Sequence, residues 1–212
     1  MTTGDINEAH RMESLIDTHQ DNTGYLAETV VADSKYGTMD NFLECSECGV
    51  SAHIPDIKAV LDKTKRNRDI YGHDKFIYHS EADTYACHSG MRLKQRSFDE
   101  NKQSINYLAS DKECSKCQLR SQCTRNKYSR SIMRHLRQEE LNHMRGIAQT
   151  PASKRDIRTR QHLMERSFAR GKRYRYDRSR WRGLWSNQVQ EYMTAAIQNV
   201  EALVMQRDLA KQ

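Results

Sequence analysis

The sequence predicts an α/β fold. A short β-branched run, Glu28-Thr29-Val30-Val31-Ala32, stands between two helical patterns. Phe76-Ile77-Tyr78 and Thr84-Tyr85-Ala86-Cys87 flank a polar turn and form a hairpin. Toward the C-terminus, Val189, Tyr192, Met193, Ala196, Ile197, Val200, Leu203 and Val204 recur at the spacing of one helix face.

The elements follow in order. Asp5-Ile6-Asn7-Glu8 has the form of an acidic capping box. Ile6, Ala9, Met12 and Ile16 then recur at helical spacing, so a helix is expected over 6–19. Asp21-Asn22-Thr23-Gly24 is turn chemistry. The run at 28–32 is a strand that ends at Asp33, followed by a helix over 38–47 and a short strand at Ser51-Ala52-His53-Ile54. Residues 60–76 are charged, weakly patterned and read as a loop. After the hairpin, 113–124 reads as irregular and 129–147 as a polar, basic helix. Pro151 breaks the chain. Ser153-Lys154-Arg155-Asp156 caps the next helix, with Ile157, Met164 and Phe168 on one face and Glu165 beside them. A basic loop at 171–186 leads into the last helix.

Composition narrows the functional classes. Hydrophobic residues make up 36%, and adding the nine glycines gives about 40%, below the roughly 45–50% of globular domains. No run of about 18 apolar residues exists, which excludes a helical membrane span. The start, Met1 to His10, lacks the pattern of a secretion signal. The formal net charge of +7 is unevenly spread. Residues 1–119 carry 14 basic and 20 acidic side chains, whereas 120–185 carry 19 and 5. Such a basic segment, richer in Arg than Lys, is the electrostatic footprint of a nucleic-acid binder. Tyr174, Tyr176, Trp181 and Trp185 interleave with Lys172, Arg173, Arg175, Arg178, Arg180 and Arg182, and aromatic faces stack on unpaired bases. The alternatives are a solvated basic face or a patch that docks an acidic protein.

Six cysteines without a secretion signal argue against a disulfide framework. Cys114-x2-Cys117-x5-Cys123 is knuckle-like, and Cys87 sits at the end of the hairpin. These four could hold a structural zinc ion, or they are free thiols. Cys45 and Cys48, near His53, read as two helix-borne thiols.

Several motifs, in order, resemble those of DDE-type insertion-sequence transposases. Val30-Val31-Ala32-Asp33-Ser34-Lys35-Tyr36-Gly37-Thr38 resembles their "vvADkGYgt" signature, and Thr3 to Ala9 resembles the preceding "t-g-d-v-n-E-a" stretch. Tyr85-Ala86-Cys87-His88-Ser89-Gly90 is similar to "Y-x-C-P-x-G", and Cys114, Cys117 and Cys123 to the cysteine insert. Met164 to Lys172 is similar to "vErvFgrlK", and Arg182-Gly183-Leu184 with Gln188 and the closing helix to the C-terminal end.

The resemblance implies a ribonuclease-H-like fold, truncated at the N-terminus, with a partly β, cysteine-containing insertion. It divides the chain into core residues 1–58, an insertion over 59–150 and C-terminal core helices over 151–212. It implies Asp33 and Glu165 as catalytic ligands of divalent cations, Mg2+ or Mn2+, that drive DNA cleavage and strand transfer. Glu165 is expected to project toward the sheet end that bears Asp33. Lys172, two helical turns on, shares the face of Glu165 and would hold a DNA phosphate. Transposon ends and target DNA are the implied partners, with a homo-oligomer or a complementing upstream transposase chain. The implied setting is the bacterial cytoplasm, with nucleoid association when the protein is bound to DNA.

Three departures qualify this. The first catalytic Asp of the family lies upstream of the stretch in which this chain begins, so inactivity alone is expected. Lys35 stands where the family has Gly; if that Gly serves a left-handed turn, Lys35 is strained by about 1 kcal/mol. Gln161 precedes Glu165 by four residues where relatives often carry Arg, with Arg160 one position off. The alternative function is a non-catalytic DNA-binding protein or relic.

Overall fold

The computed structural model describes residues 8–57 and 70–209. The Asp5 cap and most of the 60–76 loop lie outside them. The chain divides into two compact units, Met1–Pro55 with Gly146–Gln212, and Asp56–Arg145.

In the first unit, a 3-10 turn at Glu8–Arg11 leads into α1 (Met12–Thr23). The helix continues through Asp21-Asn22-Thr23 and stops at Gly24, whose φ of 76° closes it with an N–H bond to the Gln20 carbonyl. Then β1 (Thr29–Val31), α2 (Met39–Glu47) and β2 (Ser51–His53) form a β-α-β unit, with β1 and β2 parallel and Val30 opposite Ala52. Thr38 caps α2 by accepting the Asn41 N–H. Met12 and Ile16 of α1, and Phe42, Leu43 and Cys45 of α2, are buried.

The second unit holds an antiparallel meander of β3 (Ile77–His79), β4 (Thr84–Ala86), β5 (Arg92–Asp99), β6 (Ser104–Leu108) and β7 (Ser131–His135). The hairpin is present, with Tyr78 opposite Tyr85. Its core is Phe76, Tyr85, Leu93, Tyr107, Ala109 and Ile132. Tyr78 and Tyr107 both donate to Asp83, which turns the hairpin at a φ of 44°. Two short helices, α3 (Asp111–Lys116) and α4 (Arg120–Cys123), replace the expected irregular stretch.

The basic helix expected over 129–147 is a correction. Residues 131–135 form β7, and α5 (Gln138–Ala148) begins only afterwards. Ile132 and Ser129 are buried, and β7 pairs with β6 throughout, so sheet hydrogen bonds override a weak helical pattern.

In the first unit again, α6 (Pro151–Arg173) and α7 (Leu184–Leu209) are long helices. Pro151 opens α6 rather than breaking the chain, because the first helical position needs no N–H donor. Thr150 is the cap, accepting the Ser153 N–H, so the cap expected at Ser153 is displaced by one turn.

The apolar face expected from the sequence is present on α7 but is not buried. Val189, Tyr192, Met193, Ile197, Val200, Leu203 and Val204 are all exposed. The seam with α6 is polar instead. The Gln198 amide donates to the Ser167 carbonyl, and Ser167 Oγ donates to Gln198 Oε1. Gly171 is buried there, and a Cβ would lie 3.3 Å from Tyr176 Cβ, a contact tight enough that Tyr176 would have to shift by a few tenths of an ångström.

Candidate catalytic and nucleic-acid site

Asp33 follows β1 and caps a 3-10 turn at Ser34–Tyr36. Its Oδ1 accepts the Lys35 N–H at 2.9 Å. Lys35 sits inside that turn and is not among the positive-φ residues, so the expected strain is absent. Beside Asp33, a groove of about 370 Å3 is lined by Met12, Ile16, Val30, Ala32, Tyr36 and Arg160.

α6 packs on both strands, and two polar contacts fix its rotation. Asp156 Oδ2 lies 2.6 Å from His53 Nδ1 of β2, and Arg160 Nη2 lies 3.8 Å from Asp33 Oδ2. At about 100° per residue, Asp156 and Arg160 share one stripe, about 40° apart. Glu165 is then about 140° round from Arg160 and lies off the sheet-facing side. It is exposed and accepts only a 3.2 Å bond from Gln161 Nε2 among the described residues.

The expected projection of Glu165 toward Asp33 is therefore not what the helix presents. Lys172, seven residues on, does share the solvent face of Glu165. Sequence reasoning missed the hold of Arg160 on Asp33. The signal was the basic residue one position from the expected one.

The six basic candidates, Lys172, Arg173, Arg175, Arg178, Arg180 and Arg182, are all exposed. None forms an ion pair with a carboxylate among the described residues. Their segment is bolted to α7. Gln190 Nε2 donates to the Arg175 and Arg178 carbonyls at 3.2 and 2.9 Å, and Gln190 Oε1 accepts the Arg180 N–H at 3.1 Å. Tyr174 donates to Glu201 and Tyr176 to Glu191, which raises both phenol pKa values, the first mainly through that bond and the second mainly through burial. These two tyrosines are thus struts. Trp181 and Trp185 remain exposed and free to stack.

In the second unit, Cys87, Cys114, Cys117 and Cys123 are free thiols lining one cavity. Cys45 is fully buried in the first unit, and burial pushes its thiol up to about 11. Among the described residues, no group of three or more His, Cys, Asp or Glu side chains is gathered to hold an ion. No described helix is long and apolar enough to cross a membrane.

A mixed α/β chain with a β-α-β unit, an antiparallel meander and an exposed basic segment is compatible with a DNA-acting enzyme domain. The sequence profile of the family described as transposase DDE domain matches residues 86–204, more than half of the chain. The chain belongs to that family. The matched stretch contains Glu165, the four cysteines and the basic segment, while Asp33 lies before it. No match was found among curated proteins or among solved structures. The family makes the function transposase-related, with DNA as the implied partner.

DDE transposase domains generally use divalent metal ions. Such hard ions need several gathered oxygen ligands. Asp33 engaged by Arg160 and Glu165 turned to solvent do not fit that requirement as arranged.

Proposed function

We infer that this chain is part of a transposase: it grips DNA through its basic segment and does not cut DNA on its own. The exposed, braced array from Lys172 to Arg182 carries this reading. Arg forks suit phosphate oxygens, and a segment fixed to α7 presents them with little ordering cost. Asp33 and Glu165 are the carboxylates that the chain contributes to a ribonuclease-H-like centre for Mg2+ or Mn2+. Asp33 held by Arg160 and Glu165 turned to solvent leave that centre unassembled as arranged, and a homo-oligomer or a complementing transposase chain is the partner this reading expects. Its place of action is the bacterial cytoplasm, at the nucleoid.

Two measurements test this. Binding to transposon-end DNA should weaken with salt, and Arg180→Ala with Arg182→Ala should lower the salt slope by about 2 in all. Purified chain alone, with Mg2+, should neither nick nor join that DNA, and turnover by the chain alone would overturn the reading. A salt slope unchanged by the double substitution would move the DNA site elsewhere.

The Asp33–Arg160 ion pair favours a second reading, a non-catalytic DNA-binding protein derived from a transposase. Glu165→Ala in a complemented strand-transfer assay separates the two. The first reading expects a rate loss of about 10^3-fold or more, with DNA affinity intact. The second expects no change.

A further inference from the structure

The helices α3 and α4 pose a problem of stability. They have six and four residues, and neither contains a fully buried side chain. Helices so short do not persist on their own hydrogen bonds. What they turn inward is sulfur. Cys114 and Cys123 pack, partly buried, against the core of Phe76, Tyr85, Leu93, Tyr107, Ala109 and Ile132, and Cys87 joins them from just beyond β4.

With Cys117, these thiols line one cavity of about 30 Å3. Since about 10–15 Å3 admits one water-sized sphere, the space suits a single ion better than a cluster. Two tight turns present the first three sulfurs. Gly90 donates its N–H to the Cys87 carbonyl at 2.9 Å, with a φ of 76° that favours glycine. Cys117 donates its N–H to the Cys114 carbonyl at 3.3 Å. Ser89 Oγ stands 3.2 Å from Cys87 Sγ and 3.6 Å from Cys117 Sγ, so one hydroxyl spans the two turns. The neighbouring imidazole, His88, is occupied against the Tyr71 ring at 4.5 Å and does not line the cavity.

We propose that Cys87, Cys114, Cys117 and Cys123 bind one zinc ion as a tetrathiolate, which ties α3 and α4 to the sheet. Soft thiolates in a tetrahedral set select zinc, and the four thiol protons are released on binding. Four thiolates and one Zn2+ leave a charge of −2. Arg120 and Arg130 line the cavity to offset it, against one carboxylate, Glu113. Arg120 is locked by the carbonyls of Asn126, Lys127 and Tyr128, and Arg130 donates to those of Cys123 and Tyr71. The sulfurs surround the cavity without being gathered into an ion-holding set. Zinc binding requires the four sulfurs to be drawn together. This site is independent of the DNA chemistry proposed above.

The test uses the full chain purified without chelator. Elemental analysis should find one zinc per chain. Cobalt exchanged into the site should show the charge-transfer and ligand-field bands of a tetrahedral thiolate. Alkylation mapped by mass should be about tenfold slower or more at Cys87, Cys114, Cys117 and Cys123 than after chelation. This readout needs no variant and so survives any folding defect. Cys117→Ser should lose the metal, and Cys48→Ser should keep it. Folded chain whose four thiols alkylate equally fast with and without zinc would overturn the proposal. So would a disulfide among them, bound iron with labile sulfide, or a cobalt thiolate band unchanged in Cys87→Ser.

Discussion

In the Asp56–Arg145 unit, Leu93 and Tyr107 are completely buried. On α7 of the other unit, Trp185 is 74% exposed and Leu203 65% exposed. The Asp56–Arg145 unit packs aromatic and aliphatic side chains against its meander. Around α7, the contacts are made by Ser167, Gln190, Gln198 and Glu201, while the apolar residues face outward. Apolar spacing thus marks a helix at both α1 and α7, but a buried face only at α1, through Met12 and Ile16.

Substitution breaks or sharpens this contrast most directly. Leu93→Ala should cost about 2–5 kcal/mol in urea unfolding, because the sheet cannot collapse into the space left. Val200→Ala, at 59% exposed, should stay within about 0.5 kcal/mol. An equal loss at Val200 would mean that the α7 face is covered in solution.

Alkali should give the next effect. In the folded state the Tyr107 and Tyr78 phenols are raised by burial and by their bonds to Asp83. A raised acid holds its proton longer when folded. Its stabilisation is complete below the ordinary value of 10.0 and is lost as pH climbs beyond it. Cys45 behaves likewise from its ordinary 9.0 through about 11. Amide exchange against pH should therefore show α2 loosening from about pH 9, and Cys123, raised by burial against the meander core, starts the second unit in the same range. The tyrosines add a further loss in the meander from about pH 10. Tyr107→Phe should flatten that second part of the meander's alkaline slope, and an unchanged slope would refute the tyrosine contribution.

The smallest effect is at the contact that sets the rotation of α6. Asp156→Ala should cost about 1 kcal/mol, since the pair is partly solvated. Exchange should quicken in β2 and the start of α6, with β5 and β6 unchanged.

Local chemistry was sufficient for the β-α-β unit. Thr29-Val30-Val31, the Thr38 cap and Ser51-Ala52-His53 each carry their signal within a few residues. The 77–86 hairpin is legible for the same reason. Strands β5 to β7 are not, because Arg92–Asp99 alternates weakly and only its partners make it a strand. The site divides in the same way. The sequence singled out Asp33, Glu165, the basic run and the four cysteines by residue type and spacing. Whether such residues meet depends on helix rotation, which no local pattern encodes. His53 with Asp156 and Asp33 with Arg160 dock α6 by one stripe, and a helix offers only one stripe to a sheet. The sequence by itself determined which side chains are available for chemistry. The tertiary structure decided that Glu165 faces solvent and that four thiols surround one cavity.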